Sequence, residues 1–179
     1  MVQVQNGRLH YNWIGQAGEQ YRRYAIVRPV FDMIYGEFLQ FVQSEALGDV
    51  RPNQWEVTYV NHIPKGTVWG DPSDWPKLFV GLPGVWAAPS SVQLESVGGS
   101  WHFEIPPQRG RLHVDLKHAK TQQTAPQEIL RLTLTARGPI GKEGGMKLAE
   151  GLDLGRRAIV LTFREITSSQ AHAYWKLES

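Results

Sequence analysis

The sequence predicts an α+β fold: a curved, mainly antiparallel sheet of about six to seven strands, with two long helices packed on one face. Three observations carry this. Seven stretches alternate apolar with polar residues or are rich in β-branched and aromatic ones, as strands are. Two longer stretches repeat apolar residues at spacings of three and four, as amphipathic helices do. The strands mostly follow one another directly through turn residues, which is the order of antiparallel neighbours rather than of βαβ crossovers.

The first element is a hairpin. Residues 2–5 and 8–14 flank Asn6-Gly7, the strongest short signal for a tight turn, because a type I′ turn needs positive φ at both central positions. In the second strand Leu9, Tyr11 and Trp13 alternate with Arg8, His10 and Asn12. Residues 15–23 are polar and read as a loop. Val27, Val30, Phe31, Ile34, Phe38, Phe41 and Val42 then mark a helix with a broad apolar stripe, with Pro29 in its first turn and Gly48 just past its end. Residues 54–63 form the next strand, closed by Pro64. The stretch 64–89 holds five prolines, four glycines and three tryptophans, and Ser73-Asp74-Trp75-Pro76 caps one short helix within it. An apolar connection of that length packs against the fold or carries function.

Four strands are expected as a meander over 91–97, 100–105, 111–118 and 128–137, the first two joined by a Gly98-Gly99 turn. A second long helix starts at Met146 or Leu152 and ends at Ile166, and Thr167 or Ser168 caps a last short helix through Trp175.

Composition sets limits on function. The chain has 179 residues, which fits one domain, or two small ones at most, and it is read as one domain spanning 1–179. It has no cysteine, which excludes disulfides, thiolate metal sites and a thiol nucleophile. A net charge of +2 gives no electrostatic case for nucleic acid, and no apolar run is long enough to span a membrane. The first residues lack a charged and then apolar leader, so the expected compartment is the cytoplasm. No His-Glu-x-x-His, Gly-x-Ser-x-Gly or Gly-x-Gly-x-x-Gly motif occurs, and no cofactor or metal is called for.

Several segments together resemble a known family. They are Val4-Gln5-Asn6-Gly7-Arg8-Leu9-His10-Tyr11-Asn12-Trp13, residues 29–41, Tyr59-Val60-Asn61-His62-Ile63, and Gly155-Arg156-Arg157-Ala158-Ile159-Val160 with the closing His172-Ala173-Tyr174-Trp175. They are similar to a sporadically distributed bacterial family of uncharacterised proteins. The resemblance covers most of the chain and supplies no catalytic residues. It implies a strand–helix region ahead of the hairpin in longer members, and so a shortened member or a C-terminal portion here. Scattered distribution suits an accessory or defence system.

Two residue sets are candidates for a site. Tyr11, Trp13, Trp55, Trp101 and Phe103 are expected to line an apolar cavity between sheet and helices, and Asn61 and His62, at a strand end beside the 64–89 loop, join them as ligand-binding candidates. The second set comes from the meander. A turn at Gly98-Gly99 pairs Glu95 with His102 and Gln93 with Glu104. The following hairpins then pair His102 with Asp115, Glu104 with His113, Asp115 with Arg131 and His113 with Thr133. Glu95, His102, Glu104, His113, Asp115 and Arg131 thereby share one polar face. Two imidazoles and three carboxylates there suit acid–base chemistry or a cation. A solvated face whose opposite charges pair across strands needs no such chemistry. The functional expectation is a non-enzymatic binding or protein-interaction module, with an unknown protein partner or a homo-oligomer. The alternative is a small-molecule or enzymatic pocket between the sheet, the helices and the 64–89 loop.

Overall fold

The computed structural model describes residues 1–5, 7–15, 22–83, 91–121, 125–141 and 146–177. The fold is α+β, with a two-stranded and a four-stranded antiparallel sheet. Two compact units form, residues 1–51 and 52–179.

In the first unit β1 (Val2–Gln5) pairs with β2 (Arg8–Tyr11), Gln5 opposite Arg8, so a two-residue turn joins them. Gly7 has φ +72°, as the expected turn requires, and Asn6 lies outside the described residues. β2 stops at Tyr11, so Trp13 falls beyond the strand. Helix α1 (Tyr24–Ser44) begins earlier than expected, which puts Pro29 beyond the first turn. Its C-terminus closes on Ala46, at φ 52°, with Leu47 N donating to Val42 O at 3.0 Å. That left-handed residue stands two positions before Gly48, and the helix itself ends at Ser44.

In the second unit the strands are β3 (Gln54–Pro64), β4 (Gly98–Ile105), β5 (Gly110–Lys120) and β6 (Glu128–Pro139), in the spatial order β3-β6-β5-β4. The expected sheet of six to seven strands is therefore corrected to four, with β1 and β2 in a separate ribbon. Residues 91–97 form no strand, and Gly98-Gly99 lies inside β4 rather than in a turn. The cause is ring packing. The Trp101 indole folds back over Gly99, where a Cβ would lie 2.8 Å from Cζ2. Glycine there makes room for an aromatic neighbour two residues away on the same face.

One face of this sheet is the core. Leu112, Val114, Leu116, Leu130, Leu132, Leu134 and Ala136 are all buried on it. Helix α3 (Leu148–Ile166) covers it with Gly151, Leu152, Gly155, Ile159 and Ile166, while its charged residues point away. Trp55 is the centre of that contact, at 1% exposure. Its row on the sheet reads Trp55, Gly138, Gly110, Ile105. The indole lies across the two side-chain-free positions. A Cβ on Gly110 would stand 3.0 Å from Trp55 Cζ2 and one on Gly155 2.6 Å from Cζ3, and one on Gly151 would overlap the pyrrole edge. Four glycines thus make a slot for one tryptophan.

The long connection packs on the same side. Trp69 Nε1 donates to Ile63 O at 2.9 Å, and Trp69, Trp75 and His118 meet edge to face. After a 3-10 turn, helix α2 (Trp75–Leu78) leads to buried Phe79 and Leu82. Ser168 N bonds Leu78 O at 2.9 Å, tying this segment to the start of α4 (Ser169–Trp175). Residues 84–90, Trp86 included, lie outside the described ones.

Candidate functional site

The opposite face of the four-stranded sheet is open. Alternation along each strand sends Glu56, Thr58, Val60 and His62 of β3 to it, with Arg131, Thr133, Thr135 and Arg137 of β6. β5 adds Arg111, His113, Asp115 and Lys117, and β4 adds Ser100, His102 and Glu104. Thr133, Thr135, His113 and Asp115 are half-buried, and the others are exposed.

Of the polar set expected from the sequence, His102, Glu104, His113, Asp115 and Arg131 do share this face. Glu95 does not, because it precedes β4. The pairings are corrected throughout: His102 stands opposite His113, Glu104 opposite Arg111, Asp115 opposite Thr133, and Arg131 opposite Lys117. The β4–β5 and β5–β6 registers each differ from the expected ones by two residues, and the expected pairing with residues 91–97 does not form. A slip of two keeps every side chain on its face and changes only its neighbours.

The cross-strand rows are chemically distinct. One reads Glu56, Arg137, Arg111, Glu104, and the next Thr58, Thr135, His113, His102. A third reads Val60, Thr133, Asp115, Ser100, and a fourth His62, Arg131, Lys117, Gly98. Cations therefore face cations twice on the central strands. Sequence reasoning missed Arg111, Lys117 and Arg137 as members of the face, although alternation from Arg131 to Arg137 is a visible signal for one of them. Glu56 and Thr58 were missed because the position of β3 beside β6 follows only from the topology.

The imidazoles of His102 and His113 lie with ring centroids 4.3 Å apart and planes inclined by 57°. Ser100 Oγ is 3.3 Å from His102 Nε2. His113 Nε2 is buried without a hydrogen-bond partner among the described residues. Burial, then Arg137 and His102, hold the His113 imidazole below its ordinary value; Asp115 opposes them and Arg111 adds to them. Two imidazoles could share a metal ion, but no group of three His, Asp or Glu side chains converges among the described residues. Glu104 Oε1 accepts from Gln108 N at 3.1 Å, so this carboxylate holds the turn after β4.

A depressed imidazole makes stability pH-dependent. The folded state takes up the His113 proton less readily than the unfolded chain. Its contribution is fully present above about pH 6.5 and is lost as pH falls through the lower folded value. Denaturant unfolding measured from pH 7 to pH 5 should therefore show a shallower loss of stability for His113→Gln than for the wild type. Equal slopes would refute the assignment.

Within residues 52–179 the aromatic set does not converge. Tyr11 and Trp13 belong to the first unit. Trp55 is sealed beneath α3, and Trp101 is half-buried on edge strand β4, its Nε1 donating to Pro83 O at 2.9 Å. Asn61 and His62 lie among the last four residues of β3 and point to opposite faces; Asn61 Nδ2 reaches Leu132 O at 3.4 Å. Phe103 keeps the core side of β4 and is 38% exposed. The 64–89 loop contributes a shallow cleft of about 390 Å³, lined by Thr67, Trp69, Asp74, Lys77, Ser168 and Gln170 among others. Its carboxylate is structural. Backbone N–H groups of Gly70 and Asp71 donate to Asp74 Oδ2 at 3.0 and 3.1 Å and hold Asp74 below the usual carboxylate range, so it stays ionised as a loop clasp.

Fold and face together define the class: an α+β protein presenting an open, mixed-charge sheet surface. No helix among the described residues is long and apolar enough to cross a membrane. No protein-family model, curated protein or solved structure matches the chain.

Proposed function

We propose that the chain is a non-enzymatic interaction module that binds an acidic protein partner on the outward sheet face. One observation carries the reading: Arg131 stands directly opposite Lys117, and Arg137 directly opposite Arg111. Like charges in that position cost a sheet a few tenths of a kcal/mol, up to about 1 kcal/mol, each. Folding gains nothing from either pair, whereas an anionic partner converts both into attraction. The two rows are six residues apart along the strands, roughly 20 Å, which is the reach of a short extended acidic segment. The row around Lys117 and Arg131 contains no carboxylate, so its charge is the less neutralised. A net charge of only +2 favours this local contact with protein over the broad phosphate tracking of a nucleic-acid binder.

Function and stability should move in opposite directions. Lys117→Thr/Arg131→Thr removes one repulsive pair and is expected to raise stability by a few tenths of a kcal/mol to about 1 kcal/mol. The same variant should lose binding of a polyglutamate peptide, measured by calorimetry at low salt. Undiminished peptide binding by the variant, or tighter binding of single-stranded DNA than of the peptide by the wild type, would overturn the reading.

A further inference from the structure

We infer that two copies of this chain pair through β3, antiparallel and centred on Tyr59, so that one continuous eight-stranded sheet runs through a dimer. β3 is an 11-residue strand at the edge of its sheet. Which of its backbone groups face outward follows from the hydrogen bonds at its ends. Lys65 N donates to Glu128 O at 3.0 Å, and Ile140 N donates to Asn53 O at 3.0 Å. Both bonds continue the β3–β6 register, in which opposed residues alternate between bonded and non-bonded pairs. Asn53, Lys65 and the odd-numbered residues between them therefore turn their N–H and C=O groups to β6. Glu56, Thr58, Val60 and His62 turn theirs to the free edge.

No backbone hydrogen bond reaches that edge among the described residues of this unit, and all four side chains are exposed. The strand carries few of the usual guards against edge pairing, Glu56 being its one carboxylate. It has no lysine, its register on β6 runs without a bulge, and its one proline is the last residue.

A twofold dimer needs outward groups on both strands, so even residues must face even residues. Registers centred on Thr58, Tyr59 or Val60 satisfy this. Charge selects among them. The Thr58 register sets Glu56 against the partner's Val60, and the Val60 register sets it against the partner's Pro64. The Tyr59 register sets Glu56 against the partner's His62, and by symmetry does so twice, placing a carboxylate beside an imidazole at both ends. Thr58 then meets the partner's Val60, and each of the four central pairs exchanges two backbone hydrogen bonds. The twofold axis runs perpendicular to the sheet, so the two outward faces merge into one. This goes beyond binding on that face and stands on the edge alone.

Sedimentation velocity on the full chain tests it. The wild type is expected to be a dimer at micromolar concentration. Thr58→Pro removes an N–H that β6 does not use, which an edge strand tolerates, and should give a folded monomer by circular dichroism. Glu56→Lys should weaken the dimer on the order of tenfold, and Glu56→Lys/His62→Glu should restore it. A wild type that stays monomeric to near-millimolar concentration, or a dimer indifferent to both Thr58→Pro and Glu56→Lys, would overturn the inference. Peptide binding in the Thr58→Pro monomer reports separately on the outward face.

Discussion

Trp55→Ala is expected to destabilise the unit of residues 52–179 by about 3–5 kcal/mol. The indole is 1% exposed and bridges sheet and helix. Its neighbours are glycines on both sides, which have no side chains to relax inward. The cost should therefore sit at the high end of large-to-small substitutions. A domain's total stability is about 5–15 kcal/mol, so the loss is a large share of it. Thermal unfolding should shift down by about 10 °C or more. Trp55→Phe separates shape from polarity. Trp55 Nε1 is buried with no partner among the described residues. Phenylalanine removes that unsatisfied donor while keeping a ring in the slot, and its cost should be well under half that of alanine. A Trp55→Ala protein melting within a degree of the wild type would show that α3 does not rest on this residue.

Gly151→Ala/Gly155→Ala should destabilise the same contact from the helix side. On propensity alone each substitution would gain roughly 0.5–1 kcal/mol, because alanine is the better helix former. Packing reverses the sign. A methyl at Gly155 would stand 2.6 Å from Trp55 Cζ3 and 3.3 Å from Val57 Cγ2, and a methyl at Gly151 2.5 Å from Trp55 Cγ. Such overlaps force the helix off the sheet, at about 1–3 kcal/mol each, which exceeds the propensity gain. The two effects are coupled through one ring. In a Trp55→Leu background the double alanine substitution should cost much less, with a coupling energy of roughly 0.5–3 kcal/mol in a denaturant double-mutant cycle. Additive effects would mean that the glycines serve backbone conformation rather than indole packing.

Much of the architecture was legible because periodicity is local. Alternation placed His102, Glu104, His113, Asp115 and Arg131 on one face, and spacing of three and four identified α1 and α3. Register was less legible. It turned on how many residues the connections at 106–109 and 121–127 take up, which sets the β4–β5 and β5–β6 pairings. Asn61 and His62 read as a pair because they are adjacent near the end of β3, whereas strand alternation sends them to opposite faces. The glycine slot was spelled out in Gly110, Gly138, Gly151 and Gly155. It becomes meaningful only when β6 is known to lie between β3 and β5 with α3 above them.

Residue order alone settled the class of fold, the identity of most elements and the sidedness of each strand, because these depend on backbone geometry repeating over a few positions. Which strands became neighbours, and hence which charges oppose one another and which edge stays open, was decided by long-range pairing. That choice depends on how bulky and empty positions fit across the interior, and a one-dimensional pattern does not encode it.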